Sequence, residues 1–351
     1  MKSSRMWVWV GIAVIILLFI GITGWVISER TTPLTLTPLS NLPLKEKTLE
    51  KYTIENLAKR TFTPSPIVFE EPIATTSSFT VLPFYFMSDP TSPSTSLGIR
   101  GAGGKRVTGL AHVPNVPLAE KLPVIIQFRG FADREAYTPG LGTKHSAEVF
   151  AANGFVSLAP DFLGYGGSDA GSTNVFEDRF ETYTTALTLL ASIPTISFVD
   201  PSHVFLWGHS NGGQIALTVL TILGEKGTAY PASLWAPVTK KFPYSILYYT
   251  DEFEDYGKGL RRELATFEKD YDTDQFAFSN YLDRIKASIL FHQGTDDEAV
   301  PLRWSSDFVK DMQSRGKTIR YYTYPGSDHN LTVGWNTVVS RDVEFFRSNT
   351  R

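Results

Sequence analysis

The sequence predicts an α/β protein with a mostly parallel central sheet, helices on both faces, a small cap insertion and one N-terminal transmembrane helix. Three observations predict it. From about Ile67 onward strand-like and helix-like segments alternate, the pattern of a mainly parallel sheet. A five-residue turn, Gly208-His209-Ser210-Asn211-Gly212, lies between a β-like run, His203 to Trp207, and a helical run, Gln214 to Leu223. An uncharged apolar stretch from Trp7 to Ile27 stands apart from both.

In chain order, Lys2 and Arg5 precede the apolar stretch, and Glu29 and Arg30 nearly cancel after it. About 20 apolar residues span a bilayer core as a helix. The positive-inside rule then puts residues 1–6 in the cytoplasm and the rest outside, anchored in the lipid bilayer through residues 7–27. Trp7, Trp9 and Trp25 sit at the ends, where interfacial aromatics belong. A cleaved signal peptide is the competing reading, with a secreted product, but its apolar region is usually shorter and no clear A-x-A site is present. Residues 28–66 read as a Pro-containing spacer, with Pro33, Pro38 and Pro43 in its first half, followed by a helix over Lys45 to Arg60. Thr48 stands near the start of that helix, and Leu49, Tyr52 and Leu57 lie roughly on one face.

Residues 67–351 form the remaining domain. Phe79 to Phe86 and Arg106 to His112 are leading strands, followed by Val124 to Phe128 and Phe155 to Ala159. Phe176 to Ser192 is the helix before the Ser210 turn. Ala232 to Ala236, Ser288 to Phe291 and Ile319 to Tyr324 complete the sheet, with Trp304 to Arg315 and Asn336 to Ser348 as the last helices. Residues 238–286 are extra, and rich in aromatic and acidic side chains: Tyr248, Tyr249, Phe253 and Tyr256 with Asp251, Glu252, Glu254 and Asp255. This cap reads either as a solvated helical lid over apolar surface or as a carboxylate site for a substrate ammonium.

Composition excludes several classes. A net charge of −3 over 351 residues gives no basic footprint for nucleic acid. With no cysteine there is no disulfide, no thiol catalysis, no cysteine metal site and no lipoprotein anchor. No cofactor-binding motif is evident, and the sequence is silent on oligomeric state. The hydrophobic fraction, 42%, is ordinary for a globular core.

The turn at Ser210 carries the chemistry. Gly208 and Gly212 lack a Cβ, so a strand and a helix can close tightly around the serine and expose its hydroxyl. A serine in this setting needs a base and an acid, in the chain order Ser, Asp or Glu, His. Of six histidines, His292 and His329 alone follow Ser210. His292 ends a buried strand, and an acid loop follows at once, Gly294 to Pro301, so His292 as base would leave that loop unused. His329, in a turn after the Thr318 to Tyr324 strand, is therefore the base. The acid is Asp296 or Asp297; Asp328 adjoins His329 in sequence and is poorly placed to orient it. His209, inside the turn, reads as a packing or hydrogen-bonding residue. The backbone N–H of Asn211 is one oxyanion donor, and the loop after Pro123 to Phe128 supplies the other, with Phe131 N–H as the candidate.

These residues resemble the α/β-hydrolase superfamily, and within it the prolyl-oligopeptidase-type peptidase catalytic domain with its dienelactone-hydrolase-like and esterase relatives. Gly294, Asp297, Val300 and Pro301 fit the G-x-x-D-x-x-V-P pattern of that superfamily, which favours Asp297 as the acid and leaves Asp296 as the alternative. Val199-Asp200-Pro201, the Asp161 to Ser168 loop and Lys105 to Pro114 are similar to segments of the same proteins, and the likeness covers roughly residues 75 to 350. Two departures stand out: Arg129-Gly130 replaces the usual His-Gly after the oxyanion strand, and Gln293 lengthens the usual His-Gly before the acid. The resemblance implies a Ser210–Asp297–His329 serine hydrolase that works through an acyl-enzyme on a peptide or ester substrate. A serine peptidase is the first expectation, a carboxylesterase or other acyl hydrolase the alternative, and an inactive binding module the third. The chain leaves no room for the propeller of a full prolyl oligopeptidase, since no repeat of about 40 residues is visible.

Overall fold

The computed structural model describes residues 47–89, 104–116, 121–250 and 254–350. The anchor expected over residues 7–27, and the first part of the spacer, lie outside the described residues. Among the described residues no helix is long and apolar enough to cross a membrane.

Among the described residues ten strands form one sheet: β1 (Val68–Phe69), β2 (Ala74–Thr75), β3 (Phe79–Ser88), β4 (Lys105–Pro114), β5 (Leu122–Phe128), β6 (Val156–Pro160), β7 (Val199–His209), β8 (Ala232–Trp235), β9 (Ile289–Gly294) and β10 (Ile319–Tyr324). Their spatial order is β1-β3-β4-β6-β5-β7-β8-β9-β10, with β2 beside β3. The leading strands pair antiparallel, up to β4 against β6. From β6 through β5, β7, β8, β9 and β10 every pairing is parallel. The parallel strands read as near-continuous apolar runs because both faces are covered. Within β5, residues 124–128 are all buried, and β9 is buried throughout.

Helices cover both faces: α1 (Ile54–Lys59), α2 (Lys144–Ala152), α3 (Val175–Ser192), α4 (Asn211–Gly224), α5 (Tyr244–Leu247), α6 (Lys258–Phe267), α7 (Leu302–Ser314) and α8 (Trp335–Ser348). The start of α3 is fixed locally: the Asn174 side chain accepts from the N–H groups of Phe176 and Glu177, and Glu177 and Asp178 complement the helix dipole. On one face Phe180 of α3 packs against Phe242, Phe267 and Phe276, so the cap is joined to the body through an aromatic cluster. On the other face Phe150, Phe155, Phe205 and Phe346 interlock.

The strands and helices fall where the sequence pattern put them, with ends moved by a few residues. Four elements differ. Instead of one helix over Lys45 to Arg60 there is a 3₁₀ turn at Glu50–Tyr52, a break at Thr53, and then α1. Thr53, not Thr48, is the cap: its side chain accepts from Asn56 N–H while its own backbone is extended. Leu49, Tyr52 and Leu57 are buried as their pattern suggests. The partner surface is the body of the domain and its cap: the Tyr52 ring lies 5.9 Å from Phe180, and Leu49 N–H donates to the Tyr271 hydroxyl. Helix α2 and the short edge strands β1 and β2 had no sequence signal strong enough to place them.

His112 on β4 is 1% exposed, and neither ring nitrogen has a partner among the described residues. Burial first, and then the charge of Lys144, holds its pKa down at about 4, against 6.5 ordinarily. The unfolded chain therefore binds this proton at a higher pH than the folded one. The contribution is fully present above pH 6.5 and is lost as pH falls toward 4. His112→Leu should flatten the fall of unfolding free energy across that window by up to about 1.4 kcal/mol per pH unit. Urea unfolding at a series of pH values measures it, and an unchanged slope would contradict the assignment.

Candidate active site

The parallel strands all run the same way, and the loops leaving the carboxyl ends of β5, β8 and β10 touch the turn at Ser210. The turn between β7 and α4 is the sharpest. Ser210 has φ 55° and ψ −120°, a conformation that L-residues rarely adopt. It is held from both sides: Ser210 N–H donates to Trp235 O at 2.9 Å, and its carbonyl accepts from Val238 N–H at 3.0 Å. The glycines around it are steric necessities. A Cβ on Gly212 would stand 1.9 Å from Phe128 O, and one on Gly208 would stand 2.6 Å from Gly212 O. The β5 exit loop therefore lies directly against the turn. A Cβ on Gly130 would come within 3.2 Å of the Ser210 Cβ.

The β9 exit loop separates the two candidate acids. Asp296 is exposed and accepts from the Thr295 hydroxyl. The Asp297 side chain is fully buried, with four donors around it. Its Oδ1 accepts from the N–H groups of Ala299 and Val300, at 3.0 and 2.7 Å. Its Oδ2 accepts from Gln293 Nε2 at 2.8 Å and from His329 Nδ1 at 2.9 Å. This donor set matches an ionised carboxylate, which has acceptors only. With Nδ1–H committed to Asp297, the Nε2 of His329 is left as the ring's acceptor. Asp328, the sequence neighbour, is occupied instead by the N–H and hydroxyl of Thr332.

His329 is 21% exposed at the side chain and sits in the loop after β10. Further contacts bind that loop to the acid loop and to the Ser210 turn. Asp296 N–H donates to Ser327 O at 3.0 Å. His209 Nε2–H donates to His329 O at 3.0 Å, with the two imidazole centroids 4.7 Å apart. Burial, and next the neighbouring His329, holds His209 at about 4, so it stays neutral and packs as expected.

Asn211 is the first residue of α4, so its N–H is among the unpaired donors of the helix start. Phe131 is 75% exposed, and its N–H has no protein acceptor among the described residues. Among the described residues no cluster of His, Asp or Glu could hold a metal ion.

Sequence reasoning missed the supports behind these groups. Gln293 is wholly buried, donates to Asp297 and accepts from the Ser305 hydroxyl at 2.6 Å. His292 is also wholly buried, away from the site, and pairs with Asp342 at 3.0 Å. Asp342 further accepts from the Ser233 hydroxyl and the Trp235 indole N–H, and the Tyr324 hydroxyl bonds the other nitrogen of His292. One signal was available: Asp342 is an acid on the otherwise apolar face made by Val338, Val339, Val343 and Phe346.

The profile of the prolyl oligopeptidase family matches residues 142–348, more than half of the sequence. The chain belongs to the prolyl oligopeptidase family. It is accordingly a serine hydrolase. It is 27% identical over 217 residues to Protein ABHD12B of Homo sapiens, covering 60% of this chain and 56% of that protein. The chain thus spans little more than half the length of that relative. It is 23% identical over 253 residues to the "Uncharacterized peptidase YtmA" of Bacillus subtilis (strain 168), covering 71% of this chain and 91% of that one. In three dimensions it resembles an acetyl xylan esterase from Paenibacillus sp. R4, with a TM-score of 0.60 and 17% identity over 83% of this chain and 91% of the other. That likeness establishes the α/β-hydrolase fold.

Removing the Asp342 carboxylate should leave His292, Ser233 and Trp235 short of a partner in the core. Asp342→Ala is expected to lower unfolding free energy by roughly 1–3 kcal/mol for each orphaned group, while kcat per folded molecule is unchanged. Urea unfolding with parallel rate measurements checks this. A lost kcat at wild-type stability would mean that His292 takes part in the chemistry.

Proposed function

We propose that this chain is a membrane-anchored, extracytoplasmic serine peptidase of the prolyl-oligopeptidase type, with Ser210 as nucleophile, His329 as base and Asp297 as acid. The observation that carries the proposal is the His329–Asp297 hydrogen bond in a loop bound to the Ser210 turn. A serine hydroxyl is a poor nucleophile at neutral pH. His329 Nε2 takes its proton as Oγ attacks the substrate carbonyl, then returns a proton to the leaving group. Asp297 keeps the imidazole in the reactive tautomer and stabilises the imidazolium. The tetrahedral oxyanion is met by the N–H groups of Asn211 and Phe131; one such donor is worth about 3 kcal/mol of transition-state stabilisation. Water then hydrolyses the acyl-enzyme by the same route.

Family membership and the peptidase name of the Bacillus relative favour an amide substrate. The esterase alternative is supported by the small cap, helical around α5 and α6, and by a fold likeness that covers almost the whole of an esterase. The triad alone cannot discriminate, because amides and esters pass through one acyl-enzyme. Of the clustered cap acids Asp251, Glu252, Glu254 and Asp255, the first two lie outside the described residues. Asp255 is occupied by the N–H groups of Gly257 and Gly259, and Glu254 is exposed.

Two experiments test the reading. Asp297→Asn should lower kcat by about 10⁴-fold, as loss of the triad acid does elsewhere. Asp296→Asn should do far less, and the reverse ranking would move the acid by one residue. The same enzyme is then given a peptide with a free amino terminus, its acetylated form and a short acyl ester. Faster cleavage of the free peptide supports an ammonium subsite, since a carboxylate–ammonium pair is charge-assisted. Fast ester turnover with no peptide cleavage would replace the peptidase reading with the esterase.

The anchor is tested separately. Full-length protein should fractionate with membranes, resist salt extraction and be open to protease from outside the cell. A soluble product beginning near Arg30 would replace the anchor with a cleaved signal, and access only from the cytoplasm would overturn the orientation.

A further inference from the structure

The residue that replaces the expected histidine after β5 is a buried arginine. Arg129 is 7% exposed, and its guanidinium lies 4.0 Å from the Tyr165 ring centroid and 4.6 Å from that of Tyr137. The two rings meet edge to face at 5.2 Å. A guanidinium tolerates this site because it is planar, weakly hydrated and stacks on aromatic faces. No carboxylate pairs with it directly among the described residues. Its two terminal nitrogens serve backbone carbonyls instead: Nη1 donates to Gly130 O at 2.9 Å and Nη2 to Asp161 O at 3.2 Å. The Asp161 carboxylate holds the far side of the cluster, accepting from the Tyr137 hydroxyl at 2.6 Å and the Thr108 hydroxyl at 2.5 Å. Tyr165 reaches one step further along the loop and donates its hydroxyl to Ala132 O at 3.0 Å.

The carbonyls on both sides of Phe131 are thus fixed. Gly130 O and Phe131 N–H belong to one peptide group, and among the described residues the only cis bond is Phe242–Pro243. In a trans peptide the C=O and N–H point in opposite directions, so holding the oxygen aims the N–H. A cation on the carbonyl oxygen also polarises the peptide and strengthens its N–H as a donor.

We infer that Arg129, packed against the rings of Tyr137 and Tyr165, is the positioning residue that aims the Phe131 N–H at the oxyanion by clamping the Gly130 carbonyl. The inference rests on the serine-hydrolase mechanism proposed above. It assigns a function to the Arg129-Gly130 departure from the family pattern.

The test compares Arg129→Ala, Arg129→Lys and Ser210→Ala with the wild type, using p-nitrophenyl acetate as substrate and a trifluoromethyl ketone as oxyanion-forming inhibitor. Arg129→Ala should lose about 10²-fold in kcat with KM within twofold, the signature of a lost oxyanion donor. Affinity for the ketone should fall by a similar factor, and millimolar free guanidinium should restore part of kcat. Arg129→Lys keeps the charge without the planar fork and should also lose kcat, which keeps the test decisive if the alanine variant does not fold. Wild-type kcat and ketone affinity in either folded variant would overturn the clamp. So would a loss that follows melting temperature and does not respond to guanidinium. Substantial turnover by Ser210→Ala would instead overturn the nucleophile assignment, whatever Arg129 does.

Discussion

The left-handed backbone at Ser210 is the constraint on which the rest of the site depends. A non-glycine residue at φ 55° and ψ −120° costs on the order of 1–3 kcal/mol and persists only where its surroundings leave no alternative. Here β7 arrives in register with β5 and β8, and α4 must leave at once across Phe128 and Arg129. The close approach is possible because Gly208, Gly212 and Gly213 carry no side chain. A Cβ on Gly213 would come within 2.4 Å of the Pro237 side chain. The same geometry lifts the serine above the sheet edge and sets the start of α4 behind it. Sheet register, glycine placement and the backbone conformation of Ser210 are therefore one structural fact.

Around that turn, precision is supplied by buried polar groups whose bonds are nearly all made. Asp297 is held by two backbone N–H groups and by Gln293, which Ser305 fixes in turn. Behind β8 and β9, Asp342 gathers His292, Ser233 and Trp235 into a second network. Under the β5 exit, Asp161, Arg129 and two tyrosines form a third. Burial raises the pKa of Asp161, opposed by its hydrogen bonds from Thr108 and Tyr137 and by the charge of Arg129. Such networks are rigid when complete, because an unpaired member in a low-dielectric interior is expensive.

Much of this was legible because it is local. The Ser210 turn is a contiguous pattern, and chain order together with the acid loop after His292 pointed to His329 as base. Asp296 and Asp297 could not be separated by order, since adjacent residues share it; burial and four donors separate them in space. Gln293 showed only as an extra residue before Gly294, because a glutamine that bonds a carboxylate has no characteristic spacing. The expected helix over Lys45 to Arg60 failed at Thr53, a residue whose side chain favours starting a helix over continuing one. Helix α2 was missed because Ser146 occupies a buried position on it, bonded to Gln127, where periodicity looks for an apolar residue.

The most direct measurement is the site of covalent modification by a fluorophosphonate, read by mass spectrometry of the intact, folded protein and its peptides. Only a base-activated hydroxyl reacts quickly with such a reagent. The account predicts one adduct per chain, on Ser210, lost in Ser210→Ala while the melting transition is kept. An adduct on another residue, or wild-type labelling of the folded alanine variant, would contradict it.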